Sequence, residues 1–191
     1  MDPVTYLIRH ASPDRTRTDL RYDVPPGPPL TPEGVAEAER LGQWLRGQRI
    51  TALWASPLER TRHTAELAAA VARIPVVHGV AGLAEWVRGE AEAAVLERFR
   101  PVWQGALAEA AAGRPVGLVS HGGPIRALLS VLGLDNTVMA RYVHQFDHGN
   151  PLPPAGVWRT AQGEGGAEWA LGLVFSPRPF QPHLDGDVVS V

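Results

Sequence analysis

Cysteine is absent from the 191 residues, which excludes disulfides and thiolate metal sites but fits a reducing and an oxidising compartment equally. Blocks of like charge are also missing. The formal net charge is −2, so a nucleic acid or an anionic membrane surface would find little to hold, and any anion site must be local. Met1-Asp2-Pro3 leads straight into an apolar strand, without the basic region or apolar run of a signal peptide; a soluble cytoplasmic protein is expected. There is no internal repeat or low-complexity block. The six tryptophans are scattered rather than interleaved with basic residues, which favours packing over base stacking.

What is present is an alternation of strands and helices. Residues 4–8 are a buried-strand pattern and 11–29 a Pro-, Asp- and Arg-rich loop. Thr31, Pro32 and Glu33 supply a cap, a first-position proline and a first-turn carboxylate for a helix over 32–46. Residues 52–55 are a second strand. Ser56-Pro57 reads as a cap and first position of the next helix, ending near Ile74-Pro75. A brief strand at 76–78, an irregular stretch at 79–89, a helix over 91–112 interrupted or kinked near Pro101, a strand at 115–120 and a helix from Pro124 to Gly133 follow. Residues 141–146, 156–160 and 169–175 read as strands, the last two joined by a glycine-rich turn at 163–166. The pattern predicts a single α/β domain over 1–175, a three-layer α/β/α sandwich around a mostly parallel mixed sheet, with 176–191 as a tail lacking periodicity.

Two of the strands end in related chemistry, Ile8-Arg9-His10-Ala11 and Val119-Ser120-His121-Gly122. Parallel strands place their carboxyl ends on one sheet edge, where open α/β folds bind ligands, so His10 and His121 can meet there although distant in sequence. A neutral imidazole attacks phosphorus when its other nitrogen is hydrogen-bonded, and phosphoryl transfer also asks for cations and an acid for the leaving oxygen. Arg9 and Arg60 are the candidate cations; Arg62 reads as a solvated helix residue.

Five ordered stretches carry a family resemblance: Leu7-Ile8-Arg9-His10-Ala11, Leu30-Thr31-Pro32-Glu33-Gly34, Ser56-Pro57-Leu58-Glu59-Arg60 continuing to Thr64-Ala65, Leu83-Ala84-Glu85-Trp86 continuing to Glu92, and Val119-Ser120-His121-Gly122. Together they resemble the histidine phosphatase superfamily, the phosphoglycerate mutase-like fold. The resemblance implies a metal-independent phosphatase without a cofactor. His10 becomes phosphorylated, Arg9, Arg60 and His121 bind the phosphoryl group, and Glu85 donates a proton to the leaving oxygen. Its implied substrate is a small phosphorylated metabolite or a phosphohistidine peptide. Leu83, Trp86 and Val87 would raise the Glu85 pKa while Arg60 would lower it, and the sequence does not rank the two. Where the family commonly has Gly after the histidine and an Asn further on, this chain has Ala11, with Arg15 and Thr16 in the later region. Ser12 is then expected to substitute as a hydroxyl donor, and Gly122 joins the substrate-binding set. Mutases of the family carry an inserted segment for which this chain has little room, so hydrolysis is favoured over phosphoglycerate mutase activity.

Two other readings stand beside this one. Ser120, with Asp147 and His148, has the chain order of a serine esterase triad, although Leu118 stands where a nucleophile elbow has its first glycine. A non-catalytic phosphate-ester binding domain is the other. Among His63, His78, His144, His148 and His183 only His144 and His148 are spaced four apart, in a segment read as strand or loop, and no metal site is expected. The oligomeric state is not specified by these patterns.

Overall fold

The computed structural model of the chain describes residues 3–143, 150, 152–162, 168–178 and 189–190. Within them the order is Val4–Arg9 (β1), Pro32–Leu45 (α1), Ala52–Ala55 (β2), Glu59–Ala72 (α2), Val76–Val77 (β3), a 3-10 turn Ala81–Leu83, Glu92–Ala111 (α3), Val116–Ser120 (β4), Gly122–Val131 (α4), Asn136–Val143 (α5), Val157–Gln162 (β5), Trp169–Phe175 (β6) and Val189–Ser190 (β7). These described strands form one sheet in the order β3-β2-β4-β1-β5-β6-β7. β1 to β4 are mutually parallel, and β5, β6 and β7 add antiparallel ladders.

Strand alternation divides the apolar side chains between two cores. Leu7 and Leu118 face one side, where Phe99 and Trp103 of α3 and Ile125 and Leu128 of α4 cover them. Ile8 and Val119 face the other, under Ala38 and Leu41 of α1 and Ala65 and Ala68 of α2. The result is the expected three-layer α/β/α arrangement. Buried polar groups near the start of β1 are satisfied: the Thr5 and Thr160 hydroxyls pair at 2.7 Å, and Trp103 Nε1 donates to Thr5 at 3.0 Å.

The α1 start is as read, with Thr31 Oγ1 accepting from Gly34 N at 3.0 Å and Pro32 at the first position. Elsewhere the structure departs from the expectations. α2 begins at Glu59 with Leu58 at its cap and no side-chain bond from that residue; the Ser56 hydroxyl, two residues earlier, accepts from the Leu58 N–H at 3.4 Å and meets an imidazole nitrogen at 2.8 Å. α3 runs uninterrupted through Pro101, which lies on the exposed side, where losing one N–H donor costs least. α4 opens two residues before Pro124.

Residues 141–143, read as the start of a strand, are the end of α5; 144–146 and the turn at 163–166 lie outside the described residues. The overlooked signal is Asp135, whose carboxylate accepts from Thr137 N and whose carbonyl accepts from Met139 N, the pattern of a helix N-cap. Part of the 176–191 tail is built into the fold. β7 pairs with β6, and Arg178 bonds to Glu37 of α1. No helix among the described residues is long and apolar enough to cross a membrane.

Gly34 marks where α1 presses on the loop after β1: a Cβ there would lie 2.2 Å from the Ser12 carbonyl oxygen. Helix propensity alone would credit Gly34→Ala with about 1 kcal/mol of added stability. The backbone contact reverses the sign, and a loss of about 1–3 kcal/mol is expected, measured by urea unfolding; a gain would contradict the close approach.

Candidate active site

β1, β2 and β4 run parallel with Ile8 and Ala55 both level with Val119, and Arg9 level with Ser120. His10, Ser56 and His121 therefore leave the sheet at one edge. The chain moves outward from β1 to β2 and β3, then returns to insert β4 between β2 and β1, and such a reversal opens a crevice at the carboxyl ends of the strands.

The backbone of His10 is held on both sides. Its N–H donates to Ser120 O at 2.9 Å and its carbonyl accepts from Ala155 N at 3.2 Å. The imidazole Nδ1 lies 2.7 Å from Ala11 O. A carbonyl oxygen only accepts, so Nδ1 carries the proton and the Nε2 lone pair is left for chemistry. Burial first, then Arg60 and Arg9, holds the His10 pKa well below 6.5, so the ring is neutral at pH 7. The Ala11 N–H donates to Thr64 Oγ1 at 3.0 Å, and the same hydroxyl donates to Arg60 O at 2.6 Å. One threonine thus joins the loop carrying the imidazole to the helix carrying the guanidinium.

Arg60 is fully buried at the start of α2. Its Nη2 donates to Glu85 Oε2 and to His121 Nδ1, both at 3.0 Å, which leaves the His121 Nε2 proton to donate to Ser56 Oγ at 2.8 Å. The Tyr22 ring lies over the guanidinium, 4.1 Å from ring centre to Cζ. Nε and Nη1 of Arg60 are buried and have no acceptor among the described residues. Unmatched charged donors in a buried position are costly unless an anion meets them. The His10 and His121 rings are 5.2 Å apart, so two neutral imidazoles and a cation converge as the sheet edge predicted.

Glu85 stands on the loop after the 3-10 turn. Its Oε1 accepts from Trp86 N at 2.9 Å, and the loop is stapled by Arg98 of α3, which donates to the carbonyls of Gly82, Ala84 and Glu85 and to the Glu90 carboxylate. Burial raises the Glu85 pKa and outweighs the opposing Arg60 charge. That settles the competition left open by the sequence. A carboxyl that keeps its proton closer to neutrality is suited to general acid work.

The family model of the histidine phosphatase superfamily (branch 1) matches residues 5–92 and 80–149. The chain belongs to this superfamily. No curated protein sequence matches it, but solved structures share the fold. A mycobacterial glucosyl-3-phosphoglycerate phosphatase is similar at 18% identity and a TM-score of 0.68, over 92% of this chain and all 100% of that one. YhfR of Bacillus stearothermophilus is similar at 19% identity and a TM-score of 0.67, over 93% and 98%. A protein assigned as the phosphohistidine phosphatase SixA of Agrobacterium tumefaciens aligns at 19% identity and a TM-score of 0.62, over 90% and 96%.

In this histidine phosphatase superfamily chain, the five residues named for catalysis, Arg9, His10, Arg60, Glu85 and His121, are all buried. Arg9 Nη1 donates to Leu152 O. Arg60 bonds to both Glu85 and His121, and nitrogens of the two imidazoles and a Glu85 oxygen lie within 4.8 Å of one another. Gly122 opens α4, whose amino terminus favours negative charge, and a Cβ there would strike the Asn150 amide at 2.0 Å. Ser12 does not take the expected place. Its hydroxyl donates to Glu37 Oε1 at 3.0 Å and accepts from Arg178 at 3.2 Å, so its single proton is already committed away from a phosphoryl oxygen.

Ser120 is likewise engaged, donating to Leu83 O at 2.7 Å. The next residue, His121, is in extended conformation, unlike the strained turn of a nucleophile elbow. Asp147, His144, His148 and His183 lie outside the described residues. Arg62 pairs with Glu66 on the surface. The His10, Glu85 and His121 ligand-type atoms lie within 4.8 Å of one another, near enough to suggest a cation site, but Arg60 Nη2 sits at bonding distance from two of these residues and would repel a cation. Ser56 and Thr64 belong to the third motif but were given no part in the site from sequence, and Tyr22 and Arg98 were not singled out at all. Ser56, at the end of a strand parallel to those ending in His10 and His121, and Thr64, within the third motif, each offered a signal.

The buried imidazoles set a pH dependence. Burial is also the largest cause that holds His121 well below 6.5, followed by Arg60. With folded values depressed, the unfolded chain binds more protons below pH 6.5, so each ring removes stability as pH falls, by at most about 1.4 kcal/mol per pH unit. Denaturant unfolding at pH 7, 6 and 5 is expected to show this loss, with a shallower slope in His10→Asn and in His121→Asn. Parallel slopes in all three proteins would refute it.

Proposed function

We propose that the chain hydrolyses phosphomonoesters through a phosphohistidine on His10. The observation that carries this reading is the donation of His10 Nδ1 to the Ala11 carbonyl, which leaves Nε2 as a neutral nucleophile beside the guanidinium of Arg60. In the first step Nε2 forms a bond to phosphorus while the ester oxygen leaves and takes the Glu85 proton. Arg60, Arg9 and His121 stabilise the equatorial oxygens, and His10 Nδ1–H keeps its carbonyl partner as the ring becomes positive. In the second step the Glu85 carboxylate removes a proton from water, whose oxygen attacks phosphorus as the N–P bond breaks. Phosphate leaves, and both groups regain their starting protonation. No metal takes part.

The similar solved structures include a glucosyl-3-phosphoglycerate phosphatase and an assigned phosphohistidine phosphatase, which supports a small phosphorylated metabolite or a phosphohistidine peptide as substrate. Beyond Tyr22, a cavity of about 320 Å³ lined by Arg15, Arg17 and Thr18 offers a place for the remainder of the substrate. α3 leads into β4 with a short connection, which supports hydrolysis over mutase chemistry.

Wild type, His10→Ala, Ser120→Ala and Glu85→Gln, assayed with a chelator present on an aryl phosphate, an alkyl phosphate and a chromogenic carboxylic ester, test the reading. His10→Ala is expected to lose about 10³-fold or more in phosphate turnover. Glu85→Gln should lose about 10²–10⁴-fold on the alkyl phosphate and less on the aryl one, whose oxygen leaves without a proton. Ester turnover abolished by Ser120→Ala would favour an esterase instead, and phosphate binding without turnover a binding domain.

A further inference from the structure

The peptide unit between Ala11 and Ser12 is gripped at both ends. Its carbonyl accepts from His10 Nδ1 at 2.7 Å, and its N–H donates to Glu37 Oε2 at 2.8 Å. Glu37 projects from α1 and is fully buried. Its other oxygen, Oε1, accepts from Ser12 Oγ and from Nε and Nη2 of Arg178 at 3.0, 3.0 and 2.8 Å. A buried carboxylate with a guanidinium partner is charge-compensated, and this division leaves Oε2 for the peptide N–H.

We propose that Glu37 is a positioning residue for His10, setting its tautomer and ring orientation through the Ala11–Ser12 peptide, with Arg178 of the carboxyl-terminal segment holding Glu37 in place. This rests on reading His10 as the nucleophile. A carboxylate accepting from the N–H of an amide polarises it, increases the negative charge on its carbonyl oxygen and strengthens the bond that oxygen accepts. The imidazole is thereby fixed as the Nδ1–H form with Nε2 unprotonated. The positive charge that appears on the ring when Nε2 is phosphorylated meets a more negative carbonyl. In a serine hydrolase triad a carboxylate bonds directly to imidazole Nδ1; here one peptide stands between them. Ser12 contributes through its backbone N–H, and its hydroxyl helps to orient the carboxylate.

The test uses the full chain. Histidine ring nitrogen-15 NMR is recorded on wild type, Glu37→Gln, Arg178→Met and the double variant Glu37→Met/Arg178→Met, which removes both members of the ion pair together. Wild type and Glu37→Gln, whose side-chain oxygen can still accept from Ser12 N, are expected to show His10 as the Nδ1–H form. The double variant should show averaging between tautomers, with kcat lowered by about 10–100-fold and KM within twofold. Arg178→Met should fall between. A His10 that keeps an unmixed Nδ1–H signature in the double variant overturns the proposal. If the double variant does not fold, the charge-neutral Glu37→Gln decides: a lower kcat at unchanged KM supports the relay, and an unchanged kcat overturns it. The tautomer is read without turnover, so an inactive wild type with the Nδ1–H form would defeat the functional reading while leaving this one standing.

Discussion

A guanidinium sealed inside the protein dominates this structure. Arg60 has no exposed surface, and burial presses against its charge more strongly than any other influence on it. A guanidinium does not escape by giving up its proton, so the surroundings must accommodate the cation. Glu85 supplies a carboxylate oxygen, His121 a ring lone pair and Tyr22 an aromatic face. The nitrogens left without an acceptor among the described residues are buried charged donors that an oxyanion would satisfy.

The remaining electrostatics follow from that cation and its burial. Desolvation alone would leave imidazoles neutral and carboxyls protonated; the positive charge depresses the imidazoles further but pulls the carboxyl back. His10 and His121 therefore lie well below their ordinary value, while Glu85 remains raised although it touches Arg60. One environment thus favours neutral imidazoles and a carboxyl that holds its proton more tightly, side by side. Neither would arise on an open surface, where water would screen the charge and solvate both groups.

Second-layer contacts keep this arrangement in register. Thr64 couples the His10 loop to α2, Arg98 ties the Glu85 loop to α3, and Ser120 fastens the end of β4 to Leu83. Thr64 and Ser120 each join two elements that carry different site residues, and Arg98 anchors the Glu85 loop to a covering helix, so the site is a property of the packed layers. The carboxyl-terminal segment takes part too, since Arg178 reaches Glu37 across a sequence separation of 141 residues.

The alternation of strands and helices from β1 to α4, and the two strand ends that bring His10 and His121 together, were legible in the chain itself. Local patterning encodes them: apolar alternation, a capped helix start, and chemistry-bearing residues placed just where regular structure stops. The role of Ser12 was misjudged, Ser56 passed for a helix cap, and the end of α5 was taken for the start of a strand because the cap at Asp135 was overlooked. Glu37 looked like any charge on an amphipathic helix. What decided these points was distance through space. Whether a serine proton goes to a substrate or to Glu37, and whether Glu85 answers to burial or to Arg60, depends on which groups from separate elements meet and how much water remains between them. Local sequence determined the parts and their order, whereas hydrogen-bond partners and pKa directions arose only when the layers closed and excluded solvent.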